Sequence, residues 1–172
     1  LRIGFTCNAT MALNIAIHGV LKKGDHVITT AMDHNSVLRP LYELKRKGII
    51  DYTVIMPRNQ FGAIDPSSFT KAVRTNTKLI ATTLSSNVTG MVLPYKEIGE
   101  IAKRRGILYL LDCSQGAGVL PVDVKNMYIS LLAFPGHKGL MGPQGTGGLY
   151  VNEAVSLRPI IQGGTGSRSS ET

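Results

Sequence analysis

Short apolar runs alternate with longer amphipathic stretches along almost the whole chain. The apolar runs are rich in Val, Ile, Leu and Thr, which is typical of β-strands, whereas the stretches between them repeat with helical spacing. The pattern predicts strands at His26–Thr30, Tyr52–Met56, Lys78–Leu84, Ile107–Asp112, Tyr128–Phe134 and Gly147–Val151. It predicts helices at Thr10–Leu21, Ser36–Lys47, Asp65–Arg74 and Tyr95–Arg105.

Local signals mark where several of these helices begin and end. Asp65 followed by Pro66 indicates a helix start, with a capping carboxylate before a first-turn proline. Gly48 and Gly106 follow the other two central helices at the position where glycine ends a helix. The small, polar tail Gly163–Thr172 indicates either a frayed end or a loop that leads into further chain.

Continuous apolar strands separated by helices favour a mostly parallel sheet with both faces covered. The predicted fold class is therefore α/β, with three layers (α/β/α) around a mostly parallel central sheet. No internal repeat and no linker interrupts the pattern before the tail, so we expect one continuous domain.

Composition is consistent with a globular protein: 43% of the 172 residues are hydrophobic and 17% are charged. No apolar run is long enough to span a membrane, and the first residues do not resemble a signal peptide. Cys7 and Cys113 have neither metal-ligand nor disulfide spacing, so we expect no metal site and a reducing, cytoplasmic location.

The formal net charge of +8 raises the question of nucleic-acid binding. The basic residues are scattered, however, except for the groups Lys45–Lys47 and Lys103–Arg105. Both groups fall at predicted helix C-termini, where cations interact favourably with the helix dipole. We therefore expect no nucleic-acid partner, although an anionic, phosphate-bearing ligand would also suit the charge.

Polar residues follow the predicted strands at the points where those strands end. In an open α/β sheet the ligand site lies beyond the carboxyl ends of the strands. Each residue alone is explained as a cap or a solvated loop residue, but their shared position at one edge favours a common ligand site. The residues are Asn8, Ala9, Thr10, Asp33, His34, Ser85, Ser86, Asn87, Asp112, Gln115, His137 and Lys138.

A glycine-rich segment surrounds the His137–Lys138 pair, with six glycines from Gly136 to Gly148. It fits neither the phosphate-binding loop pattern nor the dinucleotide-binding pattern, so nucleotide binding is weakly supported. A lysine on such a segment suggests a Schiff base, and the carboxylate of Asp112 at another strand end suggests a partner for a pyridinium nitrogen. With a histidine to stack on a ring and a helix start for a phosphate, these residues suggest pyridoxal phosphate.

Five segments of the chain strengthen this interpretation. They are NATMALNIAI, MDHNS, SSNVTG, LLDCSQGAGVLPVDV and FPGHKGLMGPQGTGGLYV. With these segments the chain resembles the class V aminotransferase family of pyridoxal-phosphate enzymes, in particular its cysteine desulfurase-like branch, from about Ile3 to Gly164. The resemblance implies the large cofactor domain of the fold type I enzymes.

The resemblance also implies a role for each candidate residue. Lys138 matches the lysine that holds the cofactor as a Schiff base, and Asp112 the carboxylate that keeps the pyridine nitrogen protonated. His34 matches the histidine stacked on the ring. Gln115 matches the residue that hydrogen-bonds the ring hydroxyl. The remaining matches are Asn87, near cofactor and substrate, and the phosphate ligands Ala9, Thr10 and His137.

Two positions depart from the pattern that the resemblance implies. Pro135 stands where many desulfurases have a phosphate-binding Ser or Thr, and Met11 stands where Glu is common. By the same resemblance, residues 1–172 form part of the large domain, and the N-terminal segment and C-terminal small domain are absent. The sulfur-accepting cysteine and the arginine that binds the substrate carboxylate would lie in the absent parts, as would a threonine, just beyond Thr172, that reaches a neighbouring subunit's phosphate.

The function implied is conversion of L-cysteine to alanine with transfer of sulfur to an enzyme cysteine. An aminotransferase or selenocysteine lyase of the same family remains an alternative, because the residues present are cofactor machinery shared by those reactions. An inactive, truncated binding domain is a further alternative. The resemblance also implies an amino-acid substrate, a homodimer and a protein that accepts the sulfur.

Overall fold

The computed structural model describes residues 2–163, so the predicted polar tail lies outside the described residues except for Gly163. The strands are β1 (Arg2–Thr6), β2 (His26–Thr30), β3 (Asp51–Ile55), β4 (Thr77–Thr83), β5 (Leu108–Asp112), β6 (Leu131–Pro135) and β7 (Gly147–Val151). The helices are α1 (Ala9–Val20), α2 (Asn35–Arg46), α3 (Pro66–Ala72) and α4 (Tyr95–Arg105). Each predicted strand and helix is present, and the short run IGFT, which precedes Asn8–Thr10 at the predicted site, lies in β1.

The strands form one 7-stranded sheet in the order β1-β7-β6-β5-β4-β2-β3. From β6 to β3, neighbouring strands are parallel, as the sequence predicts. Strand β7 runs antiparallel to both β6 and β1. The carboxyl ends of all the other strands therefore meet at one edge of the sheet, and this is the edge where the candidate residues lie.

Apolar side chains cover both faces of the sheet because successive strand residues point to opposite sides. In β2, for example, Val27 packs with α1 and α2, while Ile28 packs with α3 and α4. Leu110 and Leu111 divide in the same way in β5. The result is the three-layer α/β/α arrangement expected from the continuous apolar runs.

The predicted helix signals are confirmed at both kinds of end. The Asp65 side chain accepts a hydrogen bond from the Ser67 N–H, and Pro66 occupies the first helical position of α3. Gly106 ends α4 with a φ of 65°, and Gly48 follows α2 with a φ of 67°. These left-handed conformations suit glycine because it has no β-carbon. The basic groups also lie at the C-terminal ends of α2 and α4.

Two predicted boundaries are wrong for local reasons. The strand predicted from Tyr128 begins only at Leu131, because a turn occupies the preceding residues and Tyr128 itself adopts a φ of 54°. The helix predicted to reach Arg74 ends at Ala72, because Val73 is extended. There the Thr77 hydroxyl accepts a hydrogen bond from the Arg74 N–H and turns the chain into β4.

Within residues 2–163, no helix is both long and apolar enough to cross a membrane. The same part of the chain holds no cluster of three or more His, Cys, Asp or Glu side chains able to bind a metal ion.

Candidate active site

All of the residues that the sequence assigns to a cofactor line one open cavity of about 200 Å³ at the carboxyl edge of the sheet. The cavity lies between the ends of β1, β4, β5 and β6 and the first turns of α1 and α2. Its predicted residues are Ala9, Thr10, His34, Asn87, Asp112, Gln115, His137 and Lys138. The cavity is also lined by Asn8 and Ser85, which the sequence places at this edge without a specific role, and by Pro135, which stands where a phosphate-binding Ser or Thr is common. Three further lining residues have no assignment from the sequence: Ser36, Thr83 and Ser114.

The first turn of α1 forms one end of the cavity. Asn8 caps the helix, and its side-chain oxygen accepts a hydrogen bond of 2.8 Å from the Met11 N–H. The other N–H groups of the first turn have no acceptor within the helix and carry the positive end of its dipole. The amides of Ala9 and Thr10 therefore suit an anionic group such as a phosphate.

His34 lies across the cavity, where it caps α2. Its Nδ1 accepts a hydrogen bond of 3.1 Å from the Ser36 N–H and lies 2.9 Å from the Ser36 hydroxyl. The Ser36 hydroxyl in turn lies 2.8 Å from the Thr10 hydroxyl. This chain of contacts fixes the orientation of the His34 ring and links it to the first turn of α1.

Asp112 ends β5 and is almost fully buried beneath the cavity. One oxygen, Oδ1, accepts hydrogen bonds from the N–H and the hydroxyl of Ser114, and Gln115 follows in the same turn. Burial raises the pKa of Asp112, while the Ser114 hydrogen bonds and the charges of His34 and Lys138 act in the opposite direction. The Asp112 carboxylate is therefore positioned to accept a hydrogen bond from a cationic N–H donor in the cavity.

Lys138 stands in the glycine-rich connection between β6 and β7. The loop closes on itself: the Gly142 N–H donates to the Gly136 carbonyl at 2.7 Å, and the Met141 N–H donates to the Lys138 carbonyl at 2.8 Å. A β-carbon on Gly136 would overlap the Thr146 side chain. The glycines therefore serve close backbone packing, which holds Lys138 and His137 against the cavity.

Asn87 reaches the cavity from a tight turn after β4. The Ser86 hydroxyl accepts a hydrogen bond of 3.3 Å from the Val88 N–H, and the Ser86 N–H donates to the Met91 carbonyl at 3.0 Å. An isolated bridge between Ser85 and Val92 closes the base of the turn. The turn thus fixes where Asn87 enters the cavity.

The unassigned residues mostly orient the predicted ones. Ser36 and Ser114 each follow two positions after a predicted residue, a spacing at which small polar side chains bond back to a cap or turn. That spacing was a usable sequence signal. Thr83 had no such signal, because its position at the cavity results from strand pairing across the sheet.

The cysteines have different surroundings. Cys113 is buried beside Asp112, and burial raises the pKa of its thiol to about 12. Cys7 is exposed near the end of β1 and does not line the cavity. Within the described residues, neither thiol is placed to act as a nucleophile in this cavity.

Comparison with known proteins identifies the family. The class V aminotransferase family model matches residues 1–171. The chain belongs to the class V aminotransferase family. It is 36% identical over 170 residues to a cysteine desulfurase, IscS, of Methanosarcina thermophila, and 40% identical over 165 residues to a probable cysteine desulfurase of Methanothermobacter thermautotrophicus.

Two solved structures share the fold. A cysteine desulfurase of Thermococcus onnurineus superimposes with a TM-score of 0.87 at 36% identity, over 94% of this chain and 41% of that one. A protein named SspA, solved in complex with cysteine, gives 0.88 at 34% identity, over 94% of this chain and 48% of that one. The matches to the two sequence relatives cover 96% and 94% of this chain, and the chain spans 41% of the length of each relative.

Class V aminotransferases and cysteine desulfurases use pyridoxal 5′-phosphate, and the cavity's chemistry fits that group. An amine stands on the Gly-rich loop, a buried carboxylate lies beneath, an imidazole lies opposite, and a helix N-terminus lies at one end. These are the groups that suit an aldehyde, a protonated ring nitrogen, an aromatic face and a phosphate, respectively.

Proposed function

We propose that this chain is the cofactor-binding part of the large domain of a pyridoxal-phosphate-dependent cysteine desulfurase. The observation that carries the proposal is the convergence of Lys138, Asp112 and His34, from three separate segments, on one cavity at the carboxyl edge of the sheet. The identity to cysteine desulfurases supports this branch of the family over the others. The reaction is conversion of L-cysteine to alanine with transfer of the sulfur to an enzyme cysteine.

When bound, the cofactor withdraws electrons from the substrate Cα. Lys138 Nζ would hold the cofactor through its aldehyde, and the same amine, when free, would move a proton at the substrate Cα. Asp112 would accept a hydrogen bond from the protonated ring nitrogen and keep the proton there, because a nearby cation stabilises a buried carboxylate. His34 orients the ring by covering one face.

The remaining residues position the cofactor. The N–H groups of Ala9 and Thr10, the Thr10 hydroxyl and His137 bind the phosphate at the positive end of α1. Gln115 hydrogen-bonds the ring hydroxyl, and Asn87 contacts cofactor and substrate. With Pro135 in place of a hydroxyl residue, the phosphate depends more on the helix terminus than in relatives that have Ser or Thr there.

The rest of the machinery lies outside residues 1–172 in this proposal. The sulfur-accepting cysteine is one such residue, since Cys113 is buried and Cys7 does not line the cavity. The arginine for the substrate carboxylate is another. The working enzyme is a cytoplasmic homodimer that passes sulfur to an acceptor protein. The two unpaired cysteines support a reducing location.

Reductive trapping tests the cofactor site. Protein of natural length is incubated with pyridoxal phosphate, reduced with borohydride and digested, and the labelled peptide is identified by mass spectrometry. We expect a single label on Lys138, no label in Lys138→Ala, and an unchanged label in Lys125→Ala, which removes an exposed lysine away from the cavity. Labels spread over surface lysines would contradict the proposed site.

Product analysis tests the reaction itself. With L-cysteine as substrate, we expect alanine and sulfide, the latter released by a thiol reductant from the enzyme persulfide. If L-cysteine is instead converted to a keto acid, and only when an amino-group acceptor is present, the enzyme is an aminotransferase. A correctly labelled Lys138 with neither product would support the inactive binding domain.

A further inference from the structure

Asp33 is a buried carboxylate immediately before His34, and the mechanism above does not use it. Its Oδ2 accepts hydrogen bonds from the Thr29 hydroxyl at 2.8 Å, the Thr30 N–H at 2.7 Å and the Thr30 hydroxyl at 2.8 Å. Its Oδ1 accepts a hydrogen bond from the Thr83 N–H at the end of β4. The carboxylate therefore joins the end of β2 to the end of β4.

This contact lies where the sheet itself stops joining the two strands. The β2–β4 ladder ends at the Ile28–Ile80 pair, before either strand reaches the cavity. Beyond that pair, the hydrogen bond between Asp33 and Thr83 spans the gap between β2 and β4. The side chain thus takes the place of ladder hydrogen bonds at the edge of the sheet that forms the site.

Both ends of the contact lead directly to cavity residues. On one side, Asp33 precedes His34 in the chain. On the other, Thr83 lines the cavity, and its hydroxyl donates at 2.8 Å to the Ser85 carbonyl at the base of the Asn87 turn. The Leu84 N–H donates at 2.9 Å to the Asp112 carbonyl. The Asp33 contact is therefore placed to set the spacing between His34 and the opposite wall.

The surroundings of Asp33 require a carboxylate. Two of its partners are backbone N–H groups, one on each oxygen, and these can only donate. An amide in the same place would turn its NH₂ group towards one of them, whichever way it faced. Burial raises the pKa of Asp33 to about 6, so keeping the group ionised costs stability. A buried carboxylate that lowers the stability of the fold is better explained by the arrangement of residues that it imposes than by a contribution to stability.

We propose that Asp33 is a positioning residue for the cofactor, whose carboxylate joins the loop before His34 to the end of β4 and so sets the width of the ring site. The inference rests on the proposed function, because the ring it positions is that of pyridoxal phosphate. It adds a residue that touches neither cofactor nor substrate.

Asp33→Asn tests the proposal, with Asp25→Asn as its matched control. Asp25 is also a buried aspartate, lies next to the same strand at the opposite edge of the sheet, and accepts a backbone N–H bond from Lys22. Protein of natural length is titrated with pyridoxal phosphate. The dissociation constant and the visible circular dichroism of the bound cofactor are then measured beside the melting temperature.

In Asp33→Asn we expect the dissociation constant to rise about tenfold and the circular dichroism of the bound cofactor to change. In Asp25→Asn both stay close to the wild-type values, whatever either variant does to the melting temperature. If the dissociation constant and the circular dichroism of the bound cofactor are the same in the two variants, the inference is overturned and the proposed function is left intact. Failure of the wild-type protein to bind pyridoxal phosphate would overturn both.

Thr29→Val provides a second variant should Asp33→Asn not fold. It preserves the side-chain shape and removes one of the three donors to Oδ2, while both backbone donors remain. We expect the same change in circular dichroism at smaller amplitude, with a dissociation constant about twofold to threefold higher. A spectrum identical to that of the wild type would contradict the positioning role.

Discussion

Gly118 packs directly against the carbonyl group of Gly139. A β-carbon added to Gly118 would lie 2.5 Å from the Gly139 oxygen, which is closer than real β-carbon contacts. Gly118 belongs to the loop that follows Asp112, and Gly139 follows Lys138. The two loops that carry the lysine and the carboxylate are therefore pressed together by their backbones, and this contact fixes the separation of the two functional groups.

Gly118→Ala should therefore destabilise the protein more than Gly145→Ala. Both glycines have left-handed backbones, with φ of 79° and 78°, but only Gly118 has backbone atoms in the way of a β-carbon. We expect Gly145→Ala to lower the free energy of unfolding by about 1–2 kcal/mol and Gly118→Ala by about 2 kcal/mol more. Urea unfolding measures both values, and equal losses would mean that the two loops separate easily.

Replacement of Asp112 by Asn should separate cofactor attachment from turnover. The amide oxygen can still accept the hydrogen bonds from Ser114, so the turn should persist. It cannot supply the negative charge that keeps the ring nitrogen protonated. We expect the label on Lys138 to form normally, while the rate of alanine production falls at least about 100-fold.

Asp112→Glu is the control for charge at this position. It retains a carboxylate on a longer side chain, and we expect a rate between those of the wild type and the Asn variant. A rate in Asp112→Asn above about a tenth of the wild-type value would contradict the role assigned to this carboxylate.

The pH dependence of stability should contain a contribution from Asp33. Because burial raises its pKa to about 6, the native state binds this proton more tightly than the unfolded state. Asp33 therefore stabilises the folded state by about 2–3 kcal/mol below about pH 4, and this stabilisation is lost as the pH rises through about 6. Asp33→Asn lacks the titrating group. The difference in unfolding free energy between wild type and variant, without cofactor, should therefore shift by that amount between pH 4 and 7.

Other groups titrate alike in the two proteins and cancel from this difference. A difference that stays constant from pH 4 to 7 would show that Asp33 has an ordinary pKa in the folded protein.

The two cysteines should differ strongly in reactivity. With its pKa raised to about 12, Cys113 is almost entirely protonated at pH 8, and its thiolate fraction is roughly a thousandfold below that of an ordinary thiol. Brief treatment with iodoacetamide, followed by mass spectrometry, should modify Cys7 and spare Cys113. Both should react after denaturation. Comparable modification of Cys113 in the native protein would be inconsistent with its buried position.

Most strands and helices can be predicted from the sequence. Burial on both faces makes the strands continuously apolar, and glycines end two of the helices. The exceptions are residues whose position tertiary contacts decide. Strand β1 is mostly exposed and is visible in the sequence only as the short run IGFT. Tyr128, where the sequence predicts the start of a strand, instead adopts a left-handed conformation.

The site residues were accessible for a related reason. Strand ends in an α/β sheet converge, so polar residues after successive strands fall on one cavity, as His34, Asp112 and Lys138 do. The contacts that hold these site residues in place cannot be predicted from the sequence in this way. Asp33 was visible as a polar residue after β2, but its bond to Thr83 depends on where the β2–β4 ladder ends, which is set by the packing of the whole sheet.

The pairing of β1 with β7 has a consequence for synthesis on the ribosome. Among the strands of residues 2–163, β1 comes first along the chain and is hydrogen-bonded to β7, which comes last, with Arg2 opposite Val151. At about 5–20 residues per second, β1 waits roughly 7–30 s after its own emergence before β7 is available. During that interval Ile3 and Phe5 have no sheet to join.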